Sequence, residues 1–222
     1  MIEYMVVFVN DVSLDGFVLG YLSTIGKGDM IIFSAGVLPD VDMSSEMEGE
    51  TDTLARLCVM ARDKEAVIVA AAAVQVEGGY FNSVFVIDCG HIVGVSDEIN
   101  PAMVYDKGKC LRCYNTSLGR IGILIGDDLS YPELWARMAV CAPSTIVCMG
   151  AGASAVGLCS SLAALCSCTV CSTADSRHAV FSDSGAMVRS SFEEVCRLPL
   201  PRSAPRPKIL TRTVSTKIES AP

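Results

Sequence analysis

Basic residues are scarce where this chain begins: residues 1–50 contain one, Lys27, against nine acids. Over all 222 residues, 17 Lys and Arg face 25 Asp and Glu, a net charge of −8. The basic footprint of a nucleic-acid surface is therefore missing, and no nucleic-acid partner is expected. Only two histidines occur, His91 and His178. Neither stands beside an acid–nucleophile pattern, so both read as surface polar residues. No basic leader precedes Met1-Ile2-Glu3-Tyr4-Met5, which opens on a mixed strand pattern, so no secretory signal is expected. Long apolar runs are missing too. No charge occurs from Met138 to Ala174, but Pro143, Gly150, Gly152, Gly157 and many serines interrupt that segment. Its apolar pieces fall well short of the roughly 20 residues of a spanning helix, so buried strand–helix–strand is expected there and no membrane span.

What is present is core material: 51% of residues are hydrophobic, enough for one domain. Eleven cysteines would suit a disulfide scaffold in a short secreted chain. Here many lie inside apolar runs, as in Ile146-Val147-Cys148-Met149, where a reduced thiol behaves as a small hydrophobe. A reducing, cytoplasmic setting follows. Residues 197–222 reverse the opening imbalance, with six bases and one acid, Glu219. From Pro199 the sequence is rich in proline and arginine and reads as extended. The chain divides accordingly into a domain over 1–198 and a tail over 199–222.

Hydrophobic periodicity gives an α/β order. Val6–Val9 reads as a strand, and Leu14, Phe17, Val18, Tyr21, Leu22 and Ile25 then recur at helical spacing before Gly26 and Gly28. Met30–Phe33 is a continuous apolar run, the mark of a strand covered on both faces. The acidic stretch Asp40–Asp52 is expected to be a loop. Leu54, Leu57, Cys58 and Ala61 form one helix face, and Val67–Val76 is a strand. Asp88-Cys89-Gly90 between two apolar runs predicts a hairpin. Strand Ile121–Ile125, helix Pro132–Val140, strand Thr145–Met149, a helix near Leu158–Leu165 and strand Thr169–Thr173 follow, with a last hairpin around Asp183-Ser184-Gly185.

Three landmarks then carry a resemblance. Gly28-Asp29-Met30-Ile31-Ile32-Phe33, Tyr80-Phe81-Asn82-Ser83 with the hairpin after it, and Gly119–Leu134 (GRIGILIGDDLSYPEL) occur in order and at matching spacing. Together they resemble the nitrilase, or carbon–nitrogen hydrolase, superfamily over about residues 4–198. The resemblance implies an α-β-β-α sandwich, no cofactor, and a glutamate, lysine and cysteine converging in one pocket. There the thiolate attacks the substrate carbon, the glutamate moves protons, and the lysine steadies the tetrahedral oxyanion. At the positions that match those three, this chain has Ala35, Glu98 and Gly126. The implied protein is a pseudoenzyme whose remnant pocket, around Asp127, Asp128 and Glu133, takes a small-molecule ligand or serves assembly. By the same resemblance it forms a homodimer through Trp135, Met138 and the basic tail. The alternative is an active amidase or nitrilase with relocated groups: Asp127, Asp40, or a displaced cysteine, of which Cys113 and Cys141 are nearest in sequence.

Two other constellations compete. The glycines from Gly150 to Gly157, with Asp175 after the next strand, imitate a dinucleotide fingerprint whose third glycine comes late. A tight strand–helix turn is the plainer reading. Cys110 and Cys113 have zinc-ligand spacing, but the group Cys166, Cys168 and Cys171 alternates across a strand and cannot complete the set. No metal site is expected, and a redox role for Cys110 and Cys113 stays open.

Overall fold

Apolar runs bounded by turns become strands buried on both faces, and the stripes of apolar residues at helical spacing become the covering helices. The computed structural model describes residues 4–201, apart from 103, 151, 153, 154, 175 and 176; the tail from 202 onward lies outside them, as does Asp175. In chain order the first half holds β1 (Met5–Val9), α1 (Leu14–Gly20), β2 (Met30–Phe33), β3 (Val41–Asp42), α2 (Met43–Glu48), α3 (Thr53–Asp63), β4 (Val67–Val76), β5 (Gly79–Asp88) and β6 (His91–Asp97). The second half holds β7 (Cys113–Thr116), β8 (Gly119–Ile125), a 3₁₀ turn (Gly126–Ser130), α4 (Pro132–Cys141), β9 (Thr145–Met149), α5 (Ala155–Cys166), β10 (Thr169–Ala174), β11 (Arg177–Phe181), β12 (Met187–Ser191) and β13 (Val195–Pro199).

These strands build two sheets. The first runs β13-β1-β2-β4-β5-β6, with the short β3 beside β4, and the second runs β12-β11-β10-β9-β8-β7. β1, β2 and β4 are parallel to one another, as are β8, β9 and β10. Alternation sorts their side chains. Val6, Phe8, Met30 and Ile32 meet Ile121, Ile123 and Val147 between the sheets, while Val7, Ile31 and Phe33 pack outward on Phe17 and Leu57 of the helices. α4 and α5 cover the other sheet through Leu134, Trp135, Met138, Cys159 and Leu162. The layers are therefore helix, sheet, sheet, helix, as the resemblance implied.

The β5–β6 hairpin turns through Cys89 (φ 48°) and Gly90 (φ 96°), the paired positive φ values of a tight two-residue turn. A Cβ on Gly90 would stand 2.8 Å from Cβ of Arg62, so the glycine also lets the turn lie against α3.

Several expectations are corrected. The acidic stretch 40–52 is not all loop. The Asp42 carboxylate accepts from the backbone N–H groups of Ser44 (2.8 Å) and Ser45 (3.3 Å), capping α2, which ends at Gly49 in the left-handed region. An edge strand absent from the expected order, β7, opens at Cys113, which pairs with Gly122. β13 adds an antiparallel strand to β1 that periodicity had not revealed. Its Arg197 reaches the nearly buried Asp29 at 2.7 Å, and the same carboxylate accepts from Met5 N–H and Gly26 N–H. Pairing thus runs through Pro199, and Leu200 N–H still donates to Tyr4 O at 3.0 Å. Trp135 and Met138 point into their own subunit, at 8% and 0% exposure, so they cannot form the dimer surface expected of them. His178 is not on the surface. It lies between the sheets at 1% exposure, stacked on Phe8 with ring centroids 4.9 Å apart. No helix among the described residues is long and apolar enough to cross a membrane.

Candidate functional site: an elbow filled by a carboxyl group

In open parallel sheets ligands sit outside the carboxyl ends of the strands. At that end the turn after β2 carries Ala35, the residue after β6 is Glu98, and the residue after β8 is Gly126. The site is thus assembled from strand ends of both sheets, and Glu98 joins them. Gly126 takes φ +52°, a conformation that an L side chain adopts only with strain. A Cβ built there would overlap Oε1 of Glu98, and would lie 2.8 Å from its Cδ and 3.0 Å from its Oε2. The carboxyl group occupies the volume in which any side chain on residue 126 would have to stand.

Glu98 is held in that volume. Its Oε2 accepts from the Asn82 side-chain amide at 2.7 Å, and its Oε1 accepts from Asp127 N–H at 2.8 Å. It is 4% exposed. Burial pushes its pKa above the usual carboxylate range, with Asp128 and Asp127 adding to the rise, although the two hydrogen bonds pull the other way. Asn82 escaped sequence reasoning as a site residue. The only signal was its place in the Tyr-Phe-Asn-Ser motif, where alternation aims it between the sheets.

The other expected site residues diverge. Ala35 sits exposed in a turn and has no group to relay a proton. Asp127 is exposed, and its backbone N–H, not its carboxylate, bonds Glu98. Asp128 is buried and structural. It accepts from Ile99 N–H (3.0 Å), Asn100 N–H (2.9 Å) and the Asn100 amide (3.2 Å), tying the segment after β6 to the elbow. Burial raises its pKa despite those bonds. Glu133 is exposed in the first turn of α4, where its charge suits the helix N-terminus. Asp40 is exposed and accepts from the Tyr80 hydroxyl at 3.0 Å.

No displaced cysteine reaches the elbow from the positions considered. Cys113 and Cys141 are free thiols. Cys113 packs against Met138, sulfur to sulfur at 3.3 Å, and a Cβ on Gly122 would touch it. Gly122 is four strand residues, roughly 13 Å, from Gly126. Burial, with Cys141 and Cys166 nearby, pushes the Cys113 thiol up to about 12, which keeps it protonated and poor as a nucleophile or redox group. Cys110 is exposed, and its sulfur accepts from Arg112 Nε at 3.0 Å. Among the described residues no group of three or more His, Cys, Asp or Glu could hold a metal ion. The glycine run 150–157 lies partly outside the described residues; where it is described, Gly150 N–H donates to the Thr173 hydroxyl at 3.1 Å.

Two buried polar side chains at this end of the sandwich were also missed. Among the described residues, Ser34 Oγ and both ring nitrogens of His178 have no hydrogen-bond partner. Burial lowers the His178 pKa to about 4, so the ring is neutral at pH 7. Alternation along Arg177-His178-Ala179-Val180-Phe181, which puts His178 on the same side as Val180, could have located it.

No protein-family model and no curated protein sequence matches this chain. Solved structures do. Nit3 of Saccharomyces cerevisiae, a member of the nitrilase superfamily, superposes with a TM-score of 0.72 at 12% identity, over 89% of this chain and 90% of its own. A carbon–nitrogen hydrolase from Helicobacter pylori gives 0.70 at 13% identity, over 90% and 89%. A mutant amidase from Nesterenkonia in complex with butyramide gives 0.71 at 13% identity, over 89% and 91%. This chain has the α-β-β-α fold of the nitrilase, or carbon–nitrogen hydrolase, superfamily.

Proposed function

We propose that this chain is a nitrilase-superfamily protein that no longer hydrolyses carbon–nitrogen bonds and serves as a pseudoenzyme in binding or assembly. The observation that carries this reading is the Glu98 carboxyl group standing in the volume beside Gly126. Covalent hydrolysis needs an attacking atom at the elbow, and glycine supplies none. A carboxyl group in place of a cation opposes the developing oxyanion when ionised, which works against the step that preorganised positive charge favours. Ala35 carries no proton, and loss of general acid–base help alone costs roughly 10²–10⁴ in rate. Against the alternative of relocated groups stand the exposure of Asp127 and Asp40, the packing of Cys113 on Met138, and the place of Cys141 at the far end of α4.

Assembly is the better supported half of the role, because the carboxyl group occupies space that a ligand at the elbow would need. We take the assembly to be a homodimer, in a reducing compartment that suits cysteines buried in apolar strands and helices. Its α4 contacts come from outward residues such as Arg137 and Val140, the latter 87% exposed, in place of Trp135 and Met138. The test is ammonia release from butyramide and other short amides and nitriles, for the wild type and for Glu98→Gln. The expected result for both is the rate of buffer alone. Turnover by the wild type that Glu98→Gln or thiol alkylation removes would overturn the reading.

A further inference from the structure

A second cavity, of about 320 Å³, lies on the opposite face of β5 from Asn82 and Glu98. Along β5, Asn82 and Val84 point between the sheets, so Phe81, Ser83 and Phe85 point to the helix side. That outer face is left open beyond the six-residue α2. The floor is apolar and well buried at its base: Val74 and Phe85 are 4% and 1% exposed, and Phe81 and Val95 extend it. The rim has a different chemistry. Lys107, Lys109 and Arg112, all exposed, line the mouth, and none has a carboxylate within ion-pair distance among the described residues. The acid in the lining, Asp97, already accepts from Ser83 Oγ at 2.7 Å.

We infer that this cavity binds a small amphipathic carboxylate, with its apolar part on Val74 and Phe85 and its head group among Lys107, Lys109 and Arg112. Three cations within six residues, none with a carboxylate partner among the described residues, are a local exception on a chain of net charge −8, and they concentrate anions at that mouth. The apolar floor selects against bare inorganic anions, which gain nothing from it. Size bounds the guest. The volume is at the small end of ligand pockets, and at ~30 Å³ for each water-sized unit it holds roughly ten non-hydrogen atoms. A saturated eight-carbon acid or an arylpropionate has that size. The site does not share residues with the elbow, so it stands whether or not the elbow is inert.

Calorimetric titration of octanoate into the full chain tests the inference, with octanol as the uncharged control. Octanoate is expected to bind at one site, at least tenfold tighter than octanol, and to weaken as salt rises and screens the rim. The double variant Lys109→Gln/Arg112→Gln should weaken octanoate at least tenfold and leave octanol unchanged. Val76→Trp, at the mouth, should abolish binding of both while the melting temperature stays close to wild type. Val59→Glu, in the separate groove between α1 and α3, should change nothing. Equal affinity for octanol and octanoate, loss of binding in Val59→Glu in place of Val76→Trp, or no saturation by roughly 10 mM ligand would overturn the inference.

Discussion

Replacing Gly126 by alanine tests the geometry of the elbow, because the damage should come in two separable parts. The first is conformational: φ of +52° costs an L residue roughly 1–2 kcal/mol. The second is steric. The new methyl group would overlap Glu98, whose carboxyl must then leave the Asn82 amide and Asp127 N–H, and stranding such buried polar groups costs roughly 1–3 kcal/mol. Gly126→Ala should therefore lose about 2–5 kcal/mol in urea unfolding, or roughly 4–20 °C in melting temperature for a chain of this size. Glu98→Ala alone should lose about 1–3 kcal/mol from the same stranded partners. The double variant carries the first part and the stranded partners but no overlap, so it should be more stable than the summed single losses by at least about 1 kcal/mol. Urea midpoints of the four proteins read that coupling directly. Losses that add to within about 0.5 kcal/mol would mean that the two residues do not share the volume, and would refute the reasoning.

Three further outcomes follow from the same contacts. His178, with its pKa lowered to about 4 from 6.5, contributes its full share of stability above pH 6.5 and loses it as pH falls toward 4, because the unfolded chain takes up a proton that the folded chain refuses. The loss is at most about 3 kcal/mol, and His178→Phe, which keeps the stack on Phe8, should abolish that part of the pH dependence in urea unfolding. The raised pKa values of Glu98 and Asp128 act in the opposite sense, favouring the folded state at low pH and losing that contribution as pH rises, so the comparison with His178→Phe isolates the histidine. Asp128→Ala should cost roughly 2–4 kcal/mol and speed amide hydrogen exchange at Ile99 and Asn100, whose N–H groups it leaves without an acceptor. Arg197→Gln leaves the nearly buried Asp29 carboxylate with only its two backbone donors; a loss of about 1–3 kcal/mol is expected, with faster exchange along β13.

Strongly periodic or fully apolar segments were legible in the sequence. β2, β9 and the core of β8 lie where their apolar runs placed them, and the two hairpins turn at Asp88-Cys89-Gly90 and Asp183-Ser184-Gly185 as their turn residues required. Segments that depend on distant partners were hidden. β13 has a proline at its end and an arginine at its centre, and the remote Asp29 and Thr24 carbonyl explain that arginine. β7 is four residues of an edge strand with one buried side chain, too short to show alternation. α2 begins in a run of acidic and polar residues and owes its start to one capping carboxylate. That Ala35, Glu98 and Gly126 stand at strand ends on one side of the sandwich follows from their places after apolar runs. That Glu98 fills the space over Gly126 does not, since a missing side chain and a carboxyl group 28 residues apart meet only across two sheets. Trp135, expected at a dimer surface from the resemblance, and His178, expected on the surface for want of an adjacent acid–nucleophile pattern, both lie inside, as helix phase and strand alternation dictate.

The sharpest trial of an elbow without an attacking atom is acyl transfer to hydroxylamine. A covalent acyl intermediate formed from butyramide would partition to hydroxylamine and accumulate as the hydroxamate, which is measured by its iron complex. The purified chain at high concentration is expected to give no hydroxamate above a protein-free blank. Hydroxamate that grows with protein concentration and disappears in a variant of any residue around Gly126 would contradict the account.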